Sequence, residues 1–194
     1  LRRDNTTSTA PVMVAVGKDF VLTIAREKLP FLNDFVSGKV EFYTTQKTKL
    51  FLQIFFAITR AYNSFIIRIN REVRSVSVNI ARVTNADIMR FVEFENTLND
   101  FLAALVPTNT LLRNIISGKY FDLFEEDEDL VEDLLLANGQ QIEIGKAALT
   151  TIVNIRNSYS TIMTNNLNRV IKFFTALTIM LTVPTMIASF YGMN

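Results

Sequence analysis

Cysteine and histidine are both absent from the 194 residues. Their absence excludes the usual zinc-ligand clusters, thiol chemistry, disulfide frameworks and histidine-based catalytic triads. Carboxylate chemistry stays open, but no catalytic constellation stands out and no enzyme is expected. Glycine and proline are scarce, with six and four copies. So few breakers suit long helices rather than a compact all-β fold. A charge excess is lacking too: twenty basic against nineteen acidic residues leave +1, which gives no electrostatic reason to expect a nucleic-acid partner. What is abundant is apolar, with sixteen phenylalanines and 49% hydrophobic residues. The chain opens on Leu1, and "LRRDNTTSTAP" lacks the pattern of a secretory signal peptide. The expectation is a start internal to a longer protein, with further strands preceding it.

Along the chain, "PVMVAV" (Pro11 to Val16) and "FVLTIA" (Phe20 to Ala25) flank Gly17-Lys18-Asp19. They predict an antiparallel hairpin in which Gly17 supplies positive φ. "LPFLNDFVSG" predicts a short helix with Pro30 at its start and Gly38 past its end. From about Thr45 to Val83 no breaker occurs, and Leu50, Ile54, Ile58, Phe65, Ile69, Val73, Val76 and Ile80 recur at helical spacing. The charges of this stretch are one-sided, with Lys47, Lys49, Arg60, Arg68, Arg71, Arg74 and Arg82 against Glu72 alone. Thr84 and Asp87 have capping-box spacing and open a second long helix, which Pro107 is expected to end or kink. "TNTLLRNIISG" then predicts a separate short helix capped by Gly118. From roughly Glu125 the helical pattern continues to the end, a rod on the order of 100 Å long. A rod of that length is expected to run between compartments or between subunits.

Phe173 to Tyr191, "FFTALTIMLTVPTMIASFY", carries no charge and spans ~28 Å as a helix, close to the hydrocarbon thickness of a bilayer. Arg169 and Lys172 precede it, which by the positive-inside tendency places its N-terminal end in the cytoplasm. Within it Thr175, Thr178, Thr182, Thr185 and Ser189 follow at intervals of three and four and share one face. The same register runs backwards through Ile171, Asn168, Thr164 or Asn165, Thr161, Asn157 and Asn154, with Phe174 at its flank. A single Thr of this kind ordinarily bonds its own i−4 carbonyl or packs helix on helix. An uncharged polar line that continues from the stalk through the bilayer, interrupted only at Ile171, instead suits a water-lined path built from several copies of the helix, along which hydrated ions pass without being trapped.

The ending Tyr191-Gly192-Met193-Asn194, preceded by "VPTMIASF" and "NNLNRVIK", resembles the CorA family of magnesium channels, whose signature is Gly-Met-Asn (GMN) at the outer end of the first of two membrane helices. "EDLLLANGQQIE" and "PVMVAVGKDFVLTIAREKLPFLNDF" are similar to that family's stalk helix and to the end of its N-terminal sheet with the helix that follows. The resemblance implies a homopentamer in the lipid of a cell (inner or plasma) membrane. It also implies a multi-pass full-length protein, a cytoplasmic N-terminal region, and transport of hydrated Mg²⁺ and of Co²⁺ or Ni²⁺. Carried over, Gly192, Met193 and Asn194 form the selectivity filter, with Asn194 meeting the hydrated ion. Asn168, Ile171, Phe174, Thr178, Thr182, Thr185 and Ser189 line the pore, Ile171 and Phe174 standing where relatives place apolar gating residues. Thr182 departs from the large apolar residue of some relatives, which leaves the narrowest point open.

Eight acidic residues fall among the twelve positions from Asp122 to Asp133. They fit a solvated face favoured at a helix start, a divalent sensor between subunits in which Asp133 matches a regulatory aspartate of some relatives, or a partner for the basic helix within or across subunits. The fold class expected is α+β and predominantly helical: a partial cytoplasmic α/β domain (1–43), a long helical hairpin with a short connecting helix (44–121), a stalk helix (122–172), a transmembrane helix (173–191) and the start of an outer loop (192–194). Besides a magnesium channel, two readings remain: a zinc transporter of the ZntB type, against which Met193 argues, and a membrane-anchored structural protein, which leaves the polar stripe unexplained.

Overall fold

The computed structural model describes residues 2–3, 6–7, 9–18, 20–42, 46–78, 80, 83–120 and 123–193. Strands β1 (Arg2–Arg3) and β2 (Thr6–Thr7) form one small antiparallel pair, and β3 (Val12–Val16) and β4 (Val21–Ala25) form a second. The first pair has no counterpart among the expectations. In the second, Val12 faces Ala25 and Val16 faces Val21, the hairpin expected. The role of Gly17 differs: among the described residues only Gly38 and Gly118 have positive φ. A Cβ on Gly17 would meet the Phe20 ring, so the bare glycine leaves room for that ring rather than supplying an unusual backbone. The short helix α1 (Leu32–Val36) follows, and Gly38 at φ 70° turns the chain after it.

Helix α2 (Lys47–Ser77) ends six residues before the expected limit at Val83. Ser75 and Ser77 donate their hydroxyls to the carbonyls of Glu72 and Arg74. Arg74 is among the last four carbonyls of α2, so the Ser77 hydroxyl serves an acceptor that the end of a helix leaves free, while Glu72 lies further in. Helix α3 (Asn85–Ile116) opens on the predicted capping box, in which Thr84 and Asp87 each accept from the other's backbone. It does not stop at Pro107: the separate helix expected over "TNTLLRNIISG" is its continuation. Pro107 lies on the exposed side, so its lost hydrogen bond falls on the side turned away from the core. Nearby, Thr108 donates to the Ala104 carbonyl at 2.8 Å and Asn138 to the Leu105 carbonyl at 2.9 Å.

Helix α4 (Glu125–Gly192) is one unbroken element of 68 residues that contains Pro184. It packs with one side against both α2, which runs parallel to it, and α3, which runs antiparallel. The direction follows from paired levels: Gln141 donates to the Thr59 carbonyl, Gly145 lies against Leu102, and Tyr159 donates to Asn85. One core cluster joins Phe51 and Leu52 of α2, Leu112 and Ile115 of α3, and Val131 and Leu134 of α4, with Val14 of β3 against it. A second, larger cluster joins Ile66, Ile69 and Val73 to Phe91, Leu98 and Phe101 and to Ala148, Ile152 and Ile155. Between them lies a buried polar layer of Thr59, Asn138 and Gln141.

Helices α2 and α4 are both long and apolar enough to cross a bilayer. Composition cannot separate them, but packing does. Many apolar residues of α2 are buried against its neighbours, whereas the most apolar window of α4 has no buried residue.

Candidate functional site

Packing against α2 and α3 uses one side of α4, through Val131, Leu134, Asn138, Gln141, Ile142, Gly145, Ala148, Ile152 and Ile155. The opposite side is bare, and Asn154 and Asn157 are exposed there. At ~100° per residue this bare face carries Thr161, Thr164 and Asn168; the three-and-four line through Ile171, Thr175, Thr178, Thr182, Thr185 and Ser189 then drifts slowly round the helix, by about 20° per heptad. From 163 to 193 every described residue is exposed. Between the two packed helices and the last turn there is thus one uninterrupted helix with one uncharged polar line.

The hydroxyls on this line are oriented. Thr175, Thr178, Thr182 and Thr185 donate to the carbonyls of Ile171, Phe174, Thr178 and Leu181, at 2.9, 2.9, 2.7 and 2.7 Å. Each is the i−4 bond that threonines in helices ordinarily make. The bond has a chemical consequence for the face. A hydroxyl whose proton is committed inward presents only lone pairs outward. The row therefore offers acceptors to donors such as the outward-pointing hydrogens of a hydrated cation, and it carries no charge to hold the ion.

Near the end of α4 a shallow groove of about 460 Å³ is lined by Leu181, Thr182, Thr185, Met186, Ser189, Phe190 and Met193. It brings the hydroxyls of three expected pore residues onto one surface with Met193 of the GMN motif. Gly192 is the last helical residue and Met193 caps it, 84% exposed. Asn194 lies outside the described residues. Ile171 and Phe174 are half-exposed, and Phe173 and Phe174 meet edge-on with centroids 5.8 Å apart.

Asp133 is exposed and lies ~50 Å along α4 from Asn168, so the structure does not bring it to the polar face. Among the described residues no three acidic side chains converge into a metal site, and no ion pair joins the acidic run to the basic helix. Within the run, burial raises the pKa of Asp127, opposed by the Lys49 ammonium and reinforced by Glu126.

Two residues that hold the stalk were not singled out from the sequence. Asn138 bonds the Leu105 carbonyl and Asn109 at 2.9 and 3.3 Å, and Gln141 bonds the Thr59 carbonyl at 3.0 Å. Their own carbonyl oxygens have no donor among the described residues. The available signal was their place in the buried register of α4, where Val131, Leu134 and Ile142 predict apolar neighbours. Farther along, Arg156 pairs with Glu95 at 2.6 Å and Tyr159 donates to Asn85 at 2.8 Å, fixing α4 to α3 before it runs free.

Comparison with known proteins bears on the whole chain. No curated protein matches it significantly. Two solved structures share its fold. One is the complete structure of the CorA magnesium transporter from Methanocaldococcus jannaschii, with a TM-score of 0.75 at 20% identity, covering 95% of this chain. The other is the soluble domain of CorA from the same organism, with a TM-score of 0.61 at 17% identity, covering 76% of this chain and 67% of that one. The chain spans 64% of the length of the complete transporter. The family model described as CorA-like Mg²⁺ transporter protein matches residues 2–194, and the chain therefore belongs to that family.

Proposed function

We propose that this chain is the subunit of a divalent-cation channel, with several copies, five by the family resemblance, arranged so that the bare polar face of α4 lines a common path. One observation carries the reading. Where α2 and α3 cover α4, the side they leave bare is the one that bears Asn154, Asn157 and Thr161, and the uncharged polar line continues from there into the free part of the helix. In this arrangement α4 crosses the membrane from about Phe173, with Arg169 and Lys172 at the cytoplasmic surface. Mg²⁺ dehydrates reluctantly, so acceptors that bond its water shell suit it better than a tight carboxylate cage. The committed hydroxyls of Thr178, Thr182 and Thr185 are such acceptors, with Ser189 beside them. Gly192, Met193 and Asn194 form the outer filter, five Asn194 amides meeting the hydrated ion. Ile171 and Phe174 supply an apolar constriction and Asn168 a polar ring below it. Co²⁺ and Ni²⁺, which also travel hydrated, are the further substrates, and Asp133 belongs to a regulatory Mg²⁺ site shared between subunits.

The test is Mg²⁺ uptake into proteoliposomes by the full-length protein and by its Asn194→Ala variant, with assembly checked in parallel. Loss of uptake or of selectivity in a normally assembled variant is expected. Unchanged rate and selectivity would remove Asn194 from the filter.

A further inference from the structure

We propose that the outward faces of α2 and α3 are the two halves of one interface between neighbouring copies of this chain, the arginines of α2 on one copy meeting Glu93 and Asp100 of α3 on the next. The proposal rests on the channel reading, which places α4 innermost around a common axis.

Arg60, Arg68, Arg71 and Arg74 are exposed on a single face of α2. Among the described residues none of them forms an ion pair. Arg68 lies over the Phe65 ring at 4.9 Å and Arg74 donates to Asn70 at 3.3 Å. The one carboxylate of the helix, Glu72, is taken by Arg90 of α3 at 2.6 Å. On α3, Glu93 and Asp100 are seven residues apart on one exposed face, likewise without an ion pair among the described residues. Met89, 66% exposed, and Val92 give that face an apolar component.

Either face alone would be an ordinary solvated surface. Height links them. A rotation about an axis parallel to the bundle leaves each residue at its own level, so α2 of one copy passes α3 of the next at the levels seen within one chain. Those levels are fixed by the Glu72–Arg90 pair and by the edge-on contact of Tyr62 with Phe101, centroids 5.0 Å apart. Arg68 and Arg71 thus stand level with Glu93, and Arg60 and Arg68 bracket Asp100, within reach of an arginine side chain. The arginine face of α2 and the acidic face of α3 are both turned away from the shared core, and they are different surfaces, so their contact between copies is head-to-tail, the kind that closes a ring. The acidic run on α4 fits the same arginines poorly. It lies level with Lys49 and Leu52, on the order of 30 Å along the bundle from Arg68 to Arg74.

Exposed ion pairs contribute little individually, but complementary charge decides which faces meet, and like charges placed opposite each other are strongly unfavourable. The experiment uses the full-length protein. Arg68→Glu with Arg71→Glu forms one variant, Glu93→Lys with Asp100→Lys a second, and all four changes a third. All four changed positions are solvent-facing in the single chain, so helix content by circular dichroism should match the parent throughout. Each two-site variant is expected to raise the concentration at which the assembly dissociates by about tenfold or more, and the four-site variant to restore the parent value. Equal dissociation in all variants, or a four-site variant weaker than either two-site variant, overturns the interface. As a second measurement, a copy with Arg71→Cys and a copy with Glu93→Cys are co-expressed. Oxidation is expected to join the two different copies, and their failure to join in an intact assembly also overturns the proposal. A parent protein that remains monomeric would instead overturn the channel reading on which the proposal rests.

Discussion

At the scale of single residues, chemistry divides the polar side chains of this chain into those that hold its shape and those left to act. Thr182 shows the difference. Its hydroxyl proton is tied to the Thr178 carbonyl at 2.7 Å, so Thr182→Val keeps shape and helix while removing an outward acceptor. If the row conducts hydrated ions, Mg²⁺ flux should fall several-fold with assembly intact; unchanged flux returns the row to helix-local bonding. Two aspartates set opposite pH dependences. Asp87 has its pKa lowered by hydrogen bonds from the Thr84 backbone and hydroxyl. Its contribution is present above the ordinary carboxylate pKa and is lost as pH falls through the lowered value. Asp127 has its pKa raised, first by burial. Its contribution is greatest below the ordinary value and is lost as pH rises through the raised one. Asp127→Asn should therefore raise the unfolding temperature at neutral pH, with the gain shrinking below pH ~4. A gain that persists unchanged in acid would contradict this assignment.

At the scale of elements, stability and kinks follow from where a residue faces. Pro107 was expected to end a helix, and it fails to do so because its ring and missing N–H lie on the exposed side, with α4 bracing the backbone nearby. Pro107→Ala should then leave the helix in place and raise stability, by up to about 3 kcal/mol. Asn138 has the opposite sign. Its amide satisfies the Leu105 carbonyl in a position that is 0% exposed, so Asn138→Ala should cost about 1–3 kcal/mol by leaving that carbonyl without its side-chain donor. Thermal or denaturant unfolding measures both. Pattern and caps made most elements legible: the hairpin from two short apolar runs flanking Gly17-Lys18-Asp19, α3 from Thr84 and Asp87, and the length of α4 from the lack of any effective break. Three features were not legible, for physical reasons. The early end of α2 is accompanied by serine hydroxyls that donate to carbonyls three residues earlier, at Glu72 and Arg74. The passage of α3 through Pro107 depends on which side is solvated. Gly17 answers to the Phe20 ring rather than to a backbone angle.

At the scale of the whole molecule, sequence and structure contribute different parts of the candidate site. Spacing alone places Asn154, Asn157, Thr161, Asn168, Thr178, Thr182, Thr185 and Ser189 on one line, but it cannot say whether α2 or α3 covers that line. Packing leaves Asn154, Asn157 and Thr161 bare while covering the other side, which turns the first part of the line into a surface; from 163 onward all sides of α4 are exposed and the line rests on spacing. The central claim is that this surface borders the ion path, and thiol accessibility tests it most directly. The 194 residues contain no cysteine, so each introduced thiol is alone in this segment. Single cysteines are placed through α4 from 154 to 190 in the full-length protein, and block of Mg²⁺ uptake by a small water-soluble thiol reagent is measured at each. The predicted result is block recurring every three to four residues, strong at Asn157, Thr161, Asn168, Thr182 and Thr185 and weak at Leu177, Met180 and Ile187. Uniform block, or block that peaks at Leu177, Met180 and Ile187, would contradict it.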